Sequence, residues 1–179
     1  MKINILDVPF DNYTETEFID LFQKRIEQQE KTLVVTANPE IVMYAKDHPD
    51  YQELLLTEAD FITADGIGVI KASNMLNTPL KERVTGYDLF LRLLALAEQK
   101  ELSIYLVGAK QEVIDVAAQK IRDEYPHVKL VGYRNGYFDL EDRTVQDAII
   151  EQKPDMVFAA LGFPRQEYFL KSLKVKLDK

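Results

Sequence analysis

The sequence predicts an α/β fold, with a mainly parallel sheet and helices on both of its faces. Three observations carry that expectation. β-rich runs and amphipathic helical segments alternate along the chain, which is the pattern of βα units. The run Met156-Val157-Phe158-Ala159-Ala160-Leu161 is continuously apolar, as a strand covered on both faces should be. Polar residues gather where the β-rich runs end: Thr36 and Asn38, Asp65, Lys110, Arg134 and Asn135, then Arg165 and Gln166. If the strands are parallel these groups share one rim, and in open α/β sheets ligands bind at that rim.

The elements follow in order. Ile3, Ile5 and Val8 predict a short strand closed by Pro9. Phe18, Leu21, Phe22 and Ile26 share one face of a helix over 14–29. Thr14, with Glu17 three residues on, fits a capping box. The β run 32–36 leads into Ala37-Asn38-Pro39-Glu40. There Asn38 suits an N-cap, Pro39 the first helical turn, and Glu40 the helix dipole. Thr36 and Asn38 also present a hydroxyl and an amide at a strand end. A helix over 49–58 turns Tyr51, Leu54 and Leu55 inward.

The stretch Phe61-Ile62-Thr63-Ala64-Asp65-Gly66-Ile67-Gly68-Val69-Ile70 begins as a strand, turns at Asp65-Gly66 and continues as a helix. Asp65 is either a helix N-cap or a carboxylate facing a ligand. Residues 77–85 form a polar loop in which Pro79 breaks any helix. Its Lys81 and Arg83 are either solvated charges or an anion clamp, for which the arginine fork suits phosphate.

A helix from Gly86 to about Lys100 carries Leu89, Phe90, Leu91, Leu93, Leu94, Leu96 and Ala97 around most of its circumference. That predicts burial on more than one side. The strand over 102–107 ends in Gly108-Ala109-Lys110, and a helix follows with Val113, Ile114, Ala117, Ala118 and Ile121 on one face. A strand over 128–133 runs into Arg134-Asn135-Gly136-Tyr137-Phe138-Asp139, whose aromatics either stack on a base or pack. A helix over 141–152, a strand over 155–161 and a last helix after Gly162-Phe163-Pro164 complete a Rossmann-like order. There is no internal repeat or linker, so one domain over 1–179 is expected.

Composition narrows the partners. The net charge of -8 disfavours nucleic acid, whose phosphates demand a basic face. Without cysteine there are no disulfides, thiolate nucleophiles or cysteine zinc sites. His48 and His127 sit beside prolines and are expected in surface loops, not as ligands. Gly66-x-Gly68-x-x-Lys71 lacks the third glycine of a dinucleotide fingerprint, and no Gly-x-x-x-x-Gly-Lys-Ser/Thr loop occurs. The start Met1-Lys2-Ile3-Asn4 has no apolar signal core, and no run approaches the ~18 apolar residues of a membrane span. A cytoplasmic chain without a span of its own is expected.

Five motifs occur in order: Thr36-Ala37-Asn38-Pro39-Glu40, Ala64-Asp65-Gly66-Ile67-Gly68, Arg83-Val84-x-Gly86-x-Asp88-Leu89, Gly136-Tyr137-Phe138 and Leu161-Gly162-x-Pro164-Arg165-Gln166-Glu167. From about residue 30 onward they resemble the WecG/TagA/CpsF glycosyltransferase family. The Thr-Ala-Asn-Pro-Glu segment resembles the TagA branch, the N-acetylmannosaminyltransferases of wall teichoic acid synthesis. The resemblance implies an inverting transfer of N-acetylmannosamine from UDP-N-acetylmannosamine to the 4-hydroxyl of N-acetylglucosamine on undecaprenyl diphosphate. It implies Asp65 as general base, with Thr36, Asn38, Arg83 and Gln166 lining the site. Tyr137, in the Gly-Tyr-Phe motif, is a further substrate-binding candidate.

The residues suit that chemistry. A strand-end Asp can take the acceptor's proton. No Asp-x-Asp is present, so no metal cofactor is expected, and Arg83 with helix N-termini would meet the diphosphate. The resemblance further implies a peripheral protein on the inner face of the membrane. Family members continue into a Gly-rich segment and an Arg-rich tail, which residues 1–179 are expected to lack. Lys171, Lys174, Lys176 and Lys179 then give only weak attraction to anionic lipid. Without the later segment, apolar surface near Phe163, Phe169 and Leu173 is expected to be open, favouring a homo-oligomer. Two rival readings stand beside this one. The first is a nucleotide-binding module without catalysis, with Asp65 only capping. The second is a dinucleotide-dependent oxidoreductase, against which the broken glycine fingerprint counts. Another N-acetylhexosamine as the donor sugar is also open.

Overall fold

A computed structural model describes residues 1–177. Lys179, counted above with the basic tail, lies outside the described residues. The chain forms two compact units, Met1–Leu89 and the residues from Phe90 onward. The division falls inside a helix, not at a linker.

The first unit opens with a hairpin of β1 (Lys2–Ile5) and β2 (Val8–Asp11), paired antiparallel with Ile5 opposite Val8. This corrects the expected single strand closed by Pro9. Leu6 and Asp7, with φ of 48° and 66°, make a two-residue turn, and positive φ at both positions matches the twist of a hairpin. Pro9 sits within β2, opposite Asn4. Next come α1 (Glu15–Glu27), β3 (Val34–Ala37), α2 (Pro39–Asp47), α3 (Pro49–Thr57), β4 (Phe61–Ala64) and α4 (Ile67–Met75). The predicted capping box is present: Thr14 Oγ1 accepts from Glu17 N at 3.2 Å, and Glu17 Oε2 accepts from Thr14 N at 3.0 Å.

β3 and β4 pair in parallel, with Thr36 beside Thr63. An aspartate at the entrance fixes this register, because Asp60 Oδ2 accepts from Leu33 N at 2.7 Å while Asp60 N donates to Leu33 O at 2.8 Å. The hairpin is tied to β4 by another aspartate. Asp11 is buried, and its Oδ2 accepts from Ile62 N at 2.8 Å while Oδ1 pairs with Lys2 Nζ at 3.0 Å. Phe18 and Phe22 of α1 pack their rings on Phe61, and Tyr51, Leu54 and Leu55 of α3 are buried as expected.

The helix α5 (Gly86–Lys100) bridges the division. The second unit continues with β5 (Ser103–Gly108), α6 (Gln111–Glu124), β6 (Lys129–Arg134), α7 (Arg143–Gln152), β7 (Met156–Ala160) and α8 (Arg165–Lys176). Its three strands are parallel in the order β6-β5-β7. Side chains alternate across the central strand, as strand geometry demands. Ile104 and Leu106 join Leu94 and Ala97 of α5 and Ile114 and Ile121 of α6. Tyr105 and Val107 face the other way, onto Val145 and Ile149 of α7 and Phe169 and Leu173 of α8. In this unit the expected parallel sheet with helices on both faces is found. Phe169 and Leu173 are 1% and 2% exposed, which overturns the open apolar surface expected there: α8 turns both residues onto the sheet.

His48 lies at the α2–α3 junction, stacked on Tyr44 at 3.7 Å. His127 is exposed beside α5, its Nδ1 2.6 Å from Glu98 Oε1. Glu98 Oε2 also accepts from the backbone of His127 and Val128, at 2.8 and 3.1 Å. The hydrogen bond to Glu98 raises the His127 pKa above 6.5, helped by the charges of Glu98 and Glu101. Partial burial pushes Glu98 upward, but the bonds from His127 and Val128 outweigh it and hold it below 4.5. The histidine's contribution is complete below its unfolded pKa and is lost as pH rises through the raised folded value. The glutamate's is complete above its unfolded pKa and is lost as pH falls through the lowered one. His127→Gln is therefore expected to lower the melting temperature most between about pH 4.5 and 6.5, with the gap closing at higher pH. Melting curves of both proteins across that range check it, and a gap that widens with pH would contradict the pairing.

Candidate functional site

At the carboxyl ends of β3 and β4 three helices begin: α2 at Pro39, α4 at Ile67 and α5 at Gly86. Each starts for a local reason. Asn38 is extended and its Oδ1 accepts from Ile41 N at 2.9 Å, so it is the predicted N-cap. Its amide Nδ2 carries no hydrogen bond among the described residues. α5 is capped by Thr85, whose Oγ1 accepts from Asp88 N at 3.0 Å. α4 begins after Gly66, at φ 123°, and has no side-chain cap. Its first N–H groups are thus left for a ligand or water, at the positive end of the helix dipole.

Asp65 is half-buried between these helix starts. Its N–H donates to Ala37 O at 2.9 Å, continuing the β4 ladder one residue past the strand. Its Oδ2 accepts from Gly86 N at 3.1 Å. Asp65 therefore does not cap the helix that follows it. It anchors the start of α5, 21 residues away, and Oδ1 is left without a hydrogen bond among the described residues.

Close approach explains the glycines better than nucleotide binding does. A Cβ at Gly68 would lie 2.8 Å from Pro39 Cγ, and one at Gly66 would lie 3.2 Å from Pro39 Cδ. A Cβ at Gly86 would lie 3.1 Å from Thr36 Oγ1. The same Gly86 thus touches Thr36 and hydrogen-bonds Asp65. Thr36, Asn38 and Asp65 are brought together as expected. Gly86, read from sequence only as a helix start, is the residue that joins them. The available signal was a glycine at the first position of an otherwise leucine-rich helix.

Arg83 precedes Val84, which is fully buried and pinned to the end of β4 by a 2.8 Å bond from Val84 N to Ala64 O. The Arg83 side chain is exposed and has no hydrogen bond or ion pair among the described residues. Lys81, its companion in the loop, is engaged instead: Nζ pairs with Glu17 at 3.3 Å, and its N–H donates to Asn12 Oδ1 at 2.8 Å. Among the described residues, no group of three or more His, Asp or Glu is placed to hold a metal ion.

Tyr137 and Gln166 belong to the second unit. The loop after β6 is held by its backbone: Gly136 N donates to Ala109 O at 2.9 Å, and Asn135 Oδ1 accepts from Tyr137 N at 2.9 Å. Arg165 donates to Gly136 O at 2.6 Å and to Phe138 O, and its guanidinium lies 4.7 Å from the Phe138 ring centroid. Arg165, grouped from sequence with the rim residues, thus fastens this loop. Phe138 packs on Phe169, so one of the loop's aromatics is packed. Tyr137 is 68% exposed on a loop fixed at both sides. Gln166 is half-buried in the first turn of α8, with its N–H bonded to Gly162 O at 2.9 Å.

Residues 3–179 match the model of the glycosyl transferase WecG/TagA/CpsF family. Three curated relatives share the name N-acetylglucosaminyldiphosphoundecaprenol N-acetyl-beta-D-mannosaminyltransferase. The chain is 43% identical over 168 residues to that of Bacillus subtilis strain 168, covering 93% of this chain and 64% of the relative. It is 40% identical over 161 residues to that of Bacillus spizizenii, covering 90% and 59%. It is 39% identical over 171 residues to that of Staphylococcus aureus strain NCTC 8325, covering 94% and 66%. The chain thus spans 59–66% of the length of these relatives.

Proposed function

The chain belongs to the WecG/TagA/CpsF glycosyl transferase family, and from that membership we propose that it is an inverting N-acetylmannosaminyltransferase of wall teichoic acid linkage-unit synthesis. The donor is UDP-N-acetylmannosamine. The acceptor is N-acetylglucosamine on undecaprenyl diphosphate, a substrate class that the relatives' names carry. Because the acceptor is lipid-linked, the protein works as a peripheral protein at the inner face of the membrane. No helix among the described residues is long and apolar enough to cross it.

The observation that supports this reading most is the Asp65 carboxylate, with one oxygen on Gly86 N and the other open. In the proposed step the acceptor hydroxyl oxygen bonds to the anomeric carbon while the bond from that carbon to the diphosphate oxygen breaks. Asp65 takes the hydroxyl proton, and UDP leaves with the electron pair. The uncapped start of α4 and the unpaired Arg83 suit the charge that develops on the diphosphate. Thr36 and Asn38 supply a hydroxyl and an amide beside the base. Tyr137, from the Gly-Tyr-Phe motif, and Gln166, from the Pro-Arg-Gln-Glu motif, are further substrate-binding residues.

Incubation with UDP-N-acetylmannosamine and a soluble analogue of the acceptor, with release of UDP and disaccharide as readout, tests the reading. Binding of the nucleotide sugar by calorimetry without turnover would favour the non-catalytic module instead. Activity is expected to survive EDTA, since the sequence has no Asp-x-Asp and positive charge can come from Arg83 and helix N-termini. A loss restored by Mg²⁺ or Mn²⁺ would overturn metal independence. Arg83→Ala is expected to weaken nucleotide-sugar use by roughly 1.5–3 kcal/mol, the range for hydrogen bonds to charged groups, with an unchanged melting temperature. Unaltered kinetics with a lower melting temperature would make Arg83 structural.

A further inference from the structure

We propose that the outward face of α4 is a membrane-contact surface, which seats this chain on an anionic phospholipid bilayer beside the Asp65 junction. The helix turns Val69 and Ser73 into the protein. Ile67, Met75 and its C-cap Leu76 point outward and are 63%, 83% and 54% exposed. Ile67, Lys71 and Met75 follow at intervals of four and so share a face, with Leu76 flanking it. An ordinary solvent face is polar and charged. This one has three large apolar side chains with one lysine and Asn74 among them.

Charge points to the same occupant. The sequence has 30 acidic residues in 179 and a net charge of -8, yet none falls between Asp65 and Glu82. Lys71 and Arg83 have no ion pair among the described residues, whereas Lys81 is paired with Glu17. Glu82, at the border of this stretch, accepts from Glu15 N at 2.8 Å. Exposed apolar side chains with the unpaired Lys71 among them match an anionic lipid surface, where the apolar groups bury at the acyl boundary and the lysine meets headgroups. Three side chains fall short of the roughly 800 Å² that each partner gives to a stable protein interface.

This surface rests on the proposed transfer to a lipid-linked sugar, and it answers a requirement of that reaction. The acceptor's lipid stays in the bilayer, so the general base must work close to it. α4 starts two residues after Asp65 and extends about 13 Å from Ile67 to Leu76 at the rise of an α-helix.

The test is flotation of the 179-residue chain with vesicles of phosphatidylglycerol and phosphatidylcholine, and with phosphatidylcholine alone. The variants are Met75→Gln/Leu76→Gln and Lys71→Glu, each checked by circular dichroism and sedimentation velocity. The unaltered chain is expected to float with the anionic vesicles and much less with the neutral ones. The double variant is expected to lose most of that binding, about tenfold, while keeping its turnover on a soluble acceptor analogue. Lys71→Glu is expected to remove the preference for anionic lipid. Equal flotation of all three proteins, or no flotation of the unaltered chain, overturns the proposal. So does a change from dimer to monomer in the double variant with vesicle binding intact, which would make this face a contact between copies. Flotation is read without turnover, so an inactive chain that still binds through α4 would count against the transferase reading alone.

Discussion

Asp65→Asn is expected to fold as the parent does and to lose about 10²–10⁴-fold in turnover, the usual cost of removing a general base. The geometry makes this substitution a clean one. Asp65 Oδ2 accepts from Gly86 N at 3.1 Å, and an asparagine carbonyl can accept the same bond. The start of α5 therefore stays anchored, while the ability to take a proton is gone. Asp65→Ala removes both and is expected to lose stability as well as activity. A kinetic assay on both variants, with melting curves, separates the roles. If Asp65→Asn turns over normally, the carboxylate serves only to hold α5.

The largest expected loss of stability comes from Gly108→Ala. Gly108 ends β5 at φ 138°, a conformation that L side chains rarely adopt. An added Cβ would lie 2.3 Å from Ala160 O and 2.8 Å from Ala160 N. These are backbone atoms of β7, paired with β5 and held further by the 3.2 Å bond from Ala109 N to Ala160 O. They cannot swing aside as a side chain would. Backbone strain of roughly 1–3 kcal/mol and overpacking of roughly 1–3 kcal/mol add to about 2–6 kcal/mol. At about 2–4 °C per kcal/mol for a chain of this size, the melting temperature should fall by roughly 4–24 °C. Gly162→Ala is the control: φ there is 78°, but nothing lies within 4 Å of the added atom. Its cost should be the strain alone, so an equal loss in the two variants would contradict the clash.

These two positions also show what sequence can and cannot carry. A carboxylate followed by glycine at the end of a β run marks a strand-to-helix turn, so Asp65 was legible. Its partner was not, because Gly86 is reached only through the fold. Parallel strands and their covering helices were legible from period and length. The hairpin was not: its Leu6-Asp7 turn has none of the glycine or asparagine that usually marks positive φ, and Pro9 reads as a stop although an edge strand tolerates it. Arg165 at a strand end invites a ligand role, yet two loop carbonyls occupy its guanidinium. Gly66 and Gly68 fall short of a dinucleotide fingerprint in sequence, and the pressure for their small size comes from Pro39.

Asp11 has a consequence for how the molecule behaves in a crowded solution. Among the described residues β4 is hydrogen-bonded to a strand, β3, on one side only, and an open strand edge invites a strand from another chain. Two outward groups of β4 are already occupied, Ile62 N by the Asp11 carboxylate and Ala64 O by Val84 N. A foreign strand would have to displace a buried negative charge together with its Lys2 partner. The aspartate thus acts as a gatekeeper against edge-to-edge aggregation.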